Sequence, residues 1–240
     1  MRYLKSYLVL TMVMGLLSSL MYAGQTVKQE RDVSGFTEVK LTGHGTVYLT
    51  QGSEYKVIVE ADEDDMEDIV TQIKGNSLVL KKKKRYFDGF SDITYYITMK
   101  KVDGLAIAGS GEIISKKVDS DDLSLAISGS GEIEIDALTA RSLDLAISGS
   151  GDVTLAGNVP LQKISISGSG DYKAKNLVGE TVTVDVAGSG KAEVNASADL
   201  TINSAGSGDI VYYGGTPRIN SSMSGSKKIR SGDSNLRLKN

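Results

Sequence analysis

The sequence contains no cysteine, no tryptophan, two prolines and one histidine among its 240 residues. Without cysteine the chain forms no disulfide and has neither a thiol nucleophile nor cysteine ligands for zinc. It is also not a lipid-modified bacterial lipoprotein, because that modification is made on a cysteine. The single histidine, His44, excludes sites built from several histidines. Stability therefore has to come from buried apolar side chains, for which the chain is long enough.

Basic residues are in slight deficit, and the net charge is −3. Nucleic acid is bound by basic surfaces, so this balance argues against a nucleic-acid partner. Residues 1–23 begin with Arg2 and Lys5, and an apolar run and Ala23 follow, as in a cleavable signal peptide. The run is short for a membrane span of about 20 residues, although an uncleaved anchor is an alternative. We predict an exported protein in the periplasm, on the outer-membrane surface or outside the cell, with no transmembrane segment in the mature chain.

Glycine is abundant, and many of its 27 copies are periodic. The tripeptide Gly-Ser-Gly occurs six times at intervals of 18–20 residues, with first glycines at Gly109, Gly129, Gly149, Gly168, Gly188 and Gly206. A seventh copy at Gly225 lacks the second glycine. Aliphatic residues alternate with small or polar residues on both sides of most copies. This alternation predicts strands with one buried face, and the repeat predicts a stack of similar units.

Each unit is predicted to be a strand, a glycine corner, a second strand and a short return. In residues 123–135 the alternation continues through Gly129-Ser130-Gly131, which turns both glycines inward and the serine outward. Residues 136–141 form the return. About 20 residues cannot bury such a face alone, so the units stack. We predict an all-β fold, a parallel β-helix of about seven to eight rungs of 18–20 residues. A β-propeller and a barrel or prism of hairpins are the alternatives.

The N-terminal third is less regular than the repeats. Residues 41–49 fit the repeat as a diverged rung, with His44 at the serine position. Residues 62–72 predict a short helix, since acidic side chains favour its N-terminal end. We expect an irregular β-rich cap over residues 24–104 and the repeats over residues 105–232. Together they form one domain over residues 24–232, which follows the signal peptide and precedes a tail at residues 233–240.

The order of these segments resembles a known family. A signal sequence precedes Val33 to Val39, then Gly43 to Gly52, and serial Gly-Ser-Gly units with a following acidic residue come after them. This order is similar to the bacterial "putative auto-transporter adhesin, head GIN domain" proteins, which are common in Bacteroidetes envelopes. The resemblance covers roughly residues 27–232. It implies a right-handed parallel β-helix and an adhesive role on the cell envelope.

Acidic residues follow most corners and form a candidate ligand surface at Glu112, Glu132, Asp152, Asp171 and Asp209. Paired carboxylates cleave glycosides or bind calcium. A polysaccharide-acting enzyme is therefore an alternative function, and structural calcium an alternative role. Evenly spaced carboxylates are equally typical of a solvated face. We predict no catalytic residue, no cofactor and no metal site, and we interpret His44 as a polar corner residue.

Two further surfaces are candidates for ligand binding. Tyr86, Phe87 and Phe90 follow the basic run of residues 81–85, and aromatic side chains are favoured in binding sites. Capping of the core is the alternative role for them. Small residues precede the corners, among them Ser128 and Ser148, and predict a flat stripe for docking a polymer or protein. Tight packing at the corners explains the same stripe.

These observations favour an exported, non-enzymatic binding protein of the cell envelope. Its ligand is predicted to be a glycan or an envelope or host protein, held on the β-helix surface. A polysaccharide-acting enzyme and a structural envelope component are the alternatives.

Overall fold

The computed structural model describes residues 25–83, 92–226 and 228–233. The predicted signal peptide and the aromatic candidates Tyr86, Phe87 and Phe90 lie outside these residues. Within the described ranges, eighteen strands join into one sheet. They are β1 Thr26–Arg31, β2 Glu38–Gly43, β3 Thr46–Gln51, β4 Lys56–Asp62, β5 Ile69–Lys74, β6 Ser77–Lys82, β7 Thr94–Met99, β8 Gly104–Gly109, β9 Glu112–Ser115, β10 Val118–Gly129, β11 Glu132–Gly149, β12 Asp152–Asn158, β13 Leu161–Gly168, β14 Tyr172–Gly188, β15 Ala192–Gly206, β16 Asp209–Tyr213, β17 Arg218–Gly225 and β18 Lys228–Ser231.

The repeats stack as parallel strands, so the predicted β-solenoid is confirmed. Ile127 pairs with Ile107 on one side and with Ile147 on the other. The corner glycines form one column: Gly43, Gly109, Gly129, Gly149, Gly168, Gly188, Gly206 and Gly225. The solenoid makes about six turns, slightly fewer than the predicted seven to eight rungs. Seven successive corners, from Gly109 to Gly225, enclose six turns. The corner at Gly43 belongs to the same column, but after β3 the chain runs through β4–β7 before it returns in β8.

Each turn has three short faces around an aliphatic core. Along β11 the alternation breaks at residues 136–137 and 141–142, where two consecutive residues face solvent. These pairs mark two corners in addition to the glycine corner. Leu138 lies between them, fully buried, and pairs with Val118 of β10. The predicted return is therefore a strand face, and its burial adds about 1.5–3 kcal/mol per large aliphatic side chain.

The two glycines of a corner are needed for different reasons. At Gly149 φ is 120°, and a Cβ would lie 2.4 Å from the carbonyl oxygen of Gly129 in the adjacent rung. At Gly151 a Cβ would lie 2.5 Å from Cγ2 of Ile127. The second glycine thus faces the core, as predicted, whereas the first faces along the solenoid axis. The serine between them is exposed.

The N-terminal end of the solenoid is closed by antiparallel strands. β7 pairs with β3, β4 lies antiparallel to β7, and β1 lies antiparallel to β4. β6 stacks on β2 and pairs with β5. This arrangement covers the sheet edge that a bare β-helix end exposes.

The helix predicted for residues 62–72 is wrong. Glu63–Asp65 forms a single 3-10 turn, and Ile69–Lys74 is the strand β5. Its β-branched side chains favour an extended backbone, and Ile69 is buried in the core. No helix among the described residues is long and apolar enough to cross a membrane.

Tyr95 lies inside this cap, and its phenolic oxygen has no hydrogen-bond partner. Burial raises the pKa of Tyr95 above 10.0, and the positive charge of Arg31 opposes this only in part. The contribution of Tyr95 to the free energy of unfolding is therefore complete below about pH 10. Above that pH it falls by about 1.4 kcal/mol per pH unit. Burial likewise raises the pKa of Tyr172, so this tyrosine also lowers the stability of the fold at alkaline pH.

We expect Tyr95→Phe to leave stability at pH 7 almost unchanged, because no hydrogen bond is lost. It should also reduce the loss of stability between pH 9 and pH 11 relative to the parent. Urea unfolding at these three pH values measures both effects, and Tyr48→Phe, which alters a half-exposed tyrosine, is the control. An identical alkaline loss in parent and Tyr95→Phe would contradict the assignment.

Candidate functional site

An open groove of about 940 Å³ runs along the outer face of the strands that precede the glycine corners. It extends from β2 at the capped end to β17 at the other end. Its central part is lined by two columns of small side chains: Ala106, Ala126, Ala146 and Ser165 in one, and Ala108, Ser128, Ser148 and Ser167 in the next. Neighbouring strands lie about 4.8 Å apart, so both columns repeat at that interval.

The groove follows from the alternation of the repeat. The parity that buries Ile127 and Ile147 turns Ala126, Ser128 and their equivalents outward. Because these outward residues are small, the surface is open down to the backbone of the strands. The stripe of small residues that was predicted next to the corners, which includes Ser128 and Ser148, thus forms one side of this groove. The column that contains Ala126 was not singled out in the sequence. Its central members, Ala106, Ala126, Ala146 and Ser165, share their parity and small size, which was the signal.

Charged groups lie only toward the ends of the groove lining. Lys40 lies at the capped end. Toward the opposite end, Nδ2 of Asn203 donates a hydrogen bond of 2.8 Å to Oδ1 of Asp185. Between Lys40 and Asp185 the lining consists of Ala, Ile, Leu, Thr, Ser and Val side chains. The central groove is therefore uncharged, with methyl groups and hydroxyl groups as its chemistry.

The predicted acidic column lies on the other side of the corners and is partly used by the fold. Glu132 pairs in register with Glu112 and Asp152. Oδ1 of Asp152 accepts a 3.1 Å hydrogen bond from the backbone amide of Asp171. Oδ1 of Asp171 accepts one of the same length from the amide of Lys191. These aspartates thus bind amides of the next rung, which is a structural role.

The remaining members of the column have charged neighbours on adjacent rungs. Asp209 pairs in register with Lys228. Burial raises the pKa of Glu112, and the carboxylates of Glu132 and Glu134 raise it further. In the described ranges, no group of three or more His, Asp or Glu side chains is placed to hold a metal ion. His44 lies at the first corner, between β2 and β3.

Solved structures with the same architecture come from Bacteroides and Parabacteroides species. One, described as a "putative adhesin" from Bacteroides fragilis, is 23% identical with a TM-score of 0.79, covering 86% of this chain and 97% of that chain. A "putative adhesin" from Parabacteroides merdae is 21% identical with a TM-score of 0.72, covering 87% and 97%. A "putative lipid binding protein" from Parabacteroides distasonis is 23% identical with a TM-score of 0.67, again covering 87% and 97%. At these identities the similarity shows the fold alone.

The family comparison covers most of the solenoid and its cap. No curated protein matches the chain. The family model described as "Putative auto-transporter adhesin, head GIN domain" matches residues 35–216, which include both the diverged first corner and six Gly-Ser-Gly corners. Because this match covers most of the sequence, the chain belongs to the family described as "Putative auto-transporter adhesin, head GIN domain".

Proposed function

We propose that the protein is an exported binding protein of the cell envelope that holds a linear, neutral polysaccharide in the groove without cleaving it. The observation that carries the proposal is the periodic, uncharged lining of the groove. Membership of an adhesin family supports a binding role at the cell surface.

The repeat of the groove suits a repeating ligand. Equivalent side chains recur at each rung, about 4.8 Å apart, an interval close to the length of one sugar ring in an extended chain. A sugar ring presents C–H groups on its faces and hydroxyl groups at its edges. The methyl groups of Ala126 and Ala146 can contact the former, and the hydroxyl groups of Ser128, Ser148 and Ser167 can bind the latter.

A protein partner or a lipid acyl chain would match fewer features of the groove than a polysaccharide does. The side chains of a protein partner vary along the chain, so a one-rung periodicity offers no advantage in binding them. A lipid acyl chain, suggested by the Parabacteroides distasonis relative, would contact the methyl groups. It would leave the serine hydroxyls without hydrogen bonds, which costs binding energy wherever they are covered.

Binding without cleavage is supported by the position of the carboxylates. The acidic column does not line the central groove, and Asp152 and Asp171 already accept backbone hydrogen bonds. Glycoside cleavage requires two carboxyl groups that flank the scissile bond. Among the residues that the structure describes, the groove lining contains a single carboxyl group, that of Asp185, and so holds no such pair.

The groove is tested by filling it. Ala146→Arg places a long side chain in the centre of the groove and should lower affinity for a bound neutral polysaccharide at least about tenfold, because the chain can no longer lie flat. Thr139→Arg is the control, since it adds the same charge to an exposed position of the same strand on another face. Affinity electrophoresis and glycan arrays measure binding.

The outcomes separate the possible ligands. Equal binding by both variants, or no binding of the parent across neutral glycans, would contradict the proposal. If the parent binds fatty acids or a protein in the same assays and Ala146→Arg does not, that ligand rather than a polysaccharide occupies the groove. Release of reducing sugar ends by the parent would favour the polysaccharide-acting enzyme.

A further inference from the structure

A second cavity, of about 550 Å³, lies on the strands that follow the glycine corners, whereas the groove lies on the strands that precede them. It is formed by β11, β12, β14 and β15, where each turn reaches its second corner. The lining side chains include Asp136, Thr154, Asp171, Lys175, Lys191 and Glu193. Its volume is within the range of about 300–1,000 Å³ that is typical of small-molecule sites.

The cavity arises where the stacking of the rungs is irregular. At the glycine corners the residues pair one to one. At the second corner, by contrast, the register shifts between β11 and β12 after Ile135, between β12 and β14 after Thr154, and between β14 and β15 after Lys173. Such irregularities re-aim side chains and are common beside functional sites. Here they place Lys175 and Asn176 next to each other on the outside.

The positive charges of the cavity are only partly neutralised. Nζ of Lys173 lies 2.8 Å from Oδ2 of Asp152. The ammonium groups of Lys175 and Lys191 are exposed and form no ion pair or hydrogen bond with any described residue. Asp136, also in the lining, is paired instead with Lys116, at 2.7 Å between Nζ and Oδ2. Two unpaired ammonium groups at one cavity are suited to an anionic group of a ligand.

Hydrogen-bonding groups surround these lysines. Asp171 and Glu193 are half-buried in the lining and present carboxylate oxygens, which accept hydrogen bonds from hydroxyl groups. Asn176 and Thr154 add an amide and a hydroxyl group. A phosphate carries more negative charge than a carboxylate and would be repelled more strongly by Asp136, Asp171 and Glu193. A ligand with one carboxylate and several hydroxyl groups matches both kinds of lining group.

We propose that this cavity binds an acidic sugar residue of the uronic acid type. Its carboxylate is held by Lys175 and Lys191, and its hydroxyl groups bind to Asp171, Glu193 and Asn176. The site is separate from the groove, does not depend on the function proposed for it, and involves no covalent step.

The test measures binding of a trigalacturonate to the full chain by calorimetry at low ionic strength. The Lys175→Ala/Lys191→Ala double variant should bind at least about tenfold more weakly, because two charge-assisted hydrogen bonds are lost. The matched neutral trigalactose should bind the parent at least about tenfold more weakly than the acidic form. Lys163→Ala, which removes an exposed lysine outside the cavity, should bind as the parent does.

Three results would overturn the proposal. They are unchanged binding in the double variant, equal affinity of the parent for the acidic and the neutral sugar, and inorganic phosphate competing as strongly as trigalacturonate. All variants change exposed side chains, and thermal melting confirms that each is folded. Ala146→Arg should retain trigalacturonate binding, so that failure of the groove proposal and failure of this one are distinguishable.

Discussion

Replacement of Gly149 by alanine is expected to destabilise the solenoid by more than about 3 kcal/mol. The backbone at Gly149 has a φ of 120°, which L side chains rarely adopt. The new Cβ would also lie 2.4 Å from the carbonyl oxygen of Gly129. The backbones pack just as closely on the other side, since a Cβ built at Gly168 would lie 2.2 Å from the oxygen of Gly149, so there is little room for the rungs to shift. Conformational strain and steric overlap therefore act together.

The neighbouring serine provides the matched control. Ser150 is exposed at the same corner, so Ser150→Ala should change the free energy of unfolding by less than about 0.5 kcal/mol. Urea unfolding followed by circular dichroism measures both variants. Equal unfolding midpoints for Gly149→Ala and the parent would show that the corner glycines do not stack as described.

Replacement of Ile147 by aspartate is expected to prevent stable folding. Ile147 is 2% exposed and lies in a column of aliphatic residues, between Ile127 and Ile166. The substitution removes an apolar side chain and buries a carboxylate without a partner, at a cost of more than about 4 kcal/mol. Each rung of a solenoid is stabilised only by its neighbours, so a defect at this central position weakens both halves.

An aspartate at the next position distinguishes burial from charge. Ser148 is exposed in the groove, and Ser148→Asp adds the same charge to the same strand. We expect this control to melt within a few degrees of the parent. If Ile147→Asp melted like the parent, the inward orientation of this face would be wrong.

The repeat region was predictable because its determinants are local. Alternation along residues 123–135 indicates which side chains are buried whatever their partners are, and glycine at positions 129 and 131 marks the corner. Stacking then follows, since one unit cannot bury its own apolar face. The stripe of small residues was visible for the same reason, because outward positions alternate with buried ones.

The cap and the sites depended on contacts between distant segments. The acidic run at residues 62–65 suggested a helix, yet Ile69 to Lys74 pairs antiparallel with β6, and burial of Ile69 prevailed over local preference. The aspartates after the corners were visible as a column, but their hydrogen bonds to the next rung require rungs about 20 residues apart to meet.

The sequence of this protein therefore determines the rung, its corner and its buried face, because alternation and glycine act within a few residues. Only the tertiary structure decides where the rungs leave space. The groove requires small side chains of many rungs to align, and the second cavity requires unequal rung lengths to shift the register at Ile135, Thr154 and Lys173. Both cavities depend on the size and length of residues in neighbouring rungs, and these rungs meet only in the folded structure.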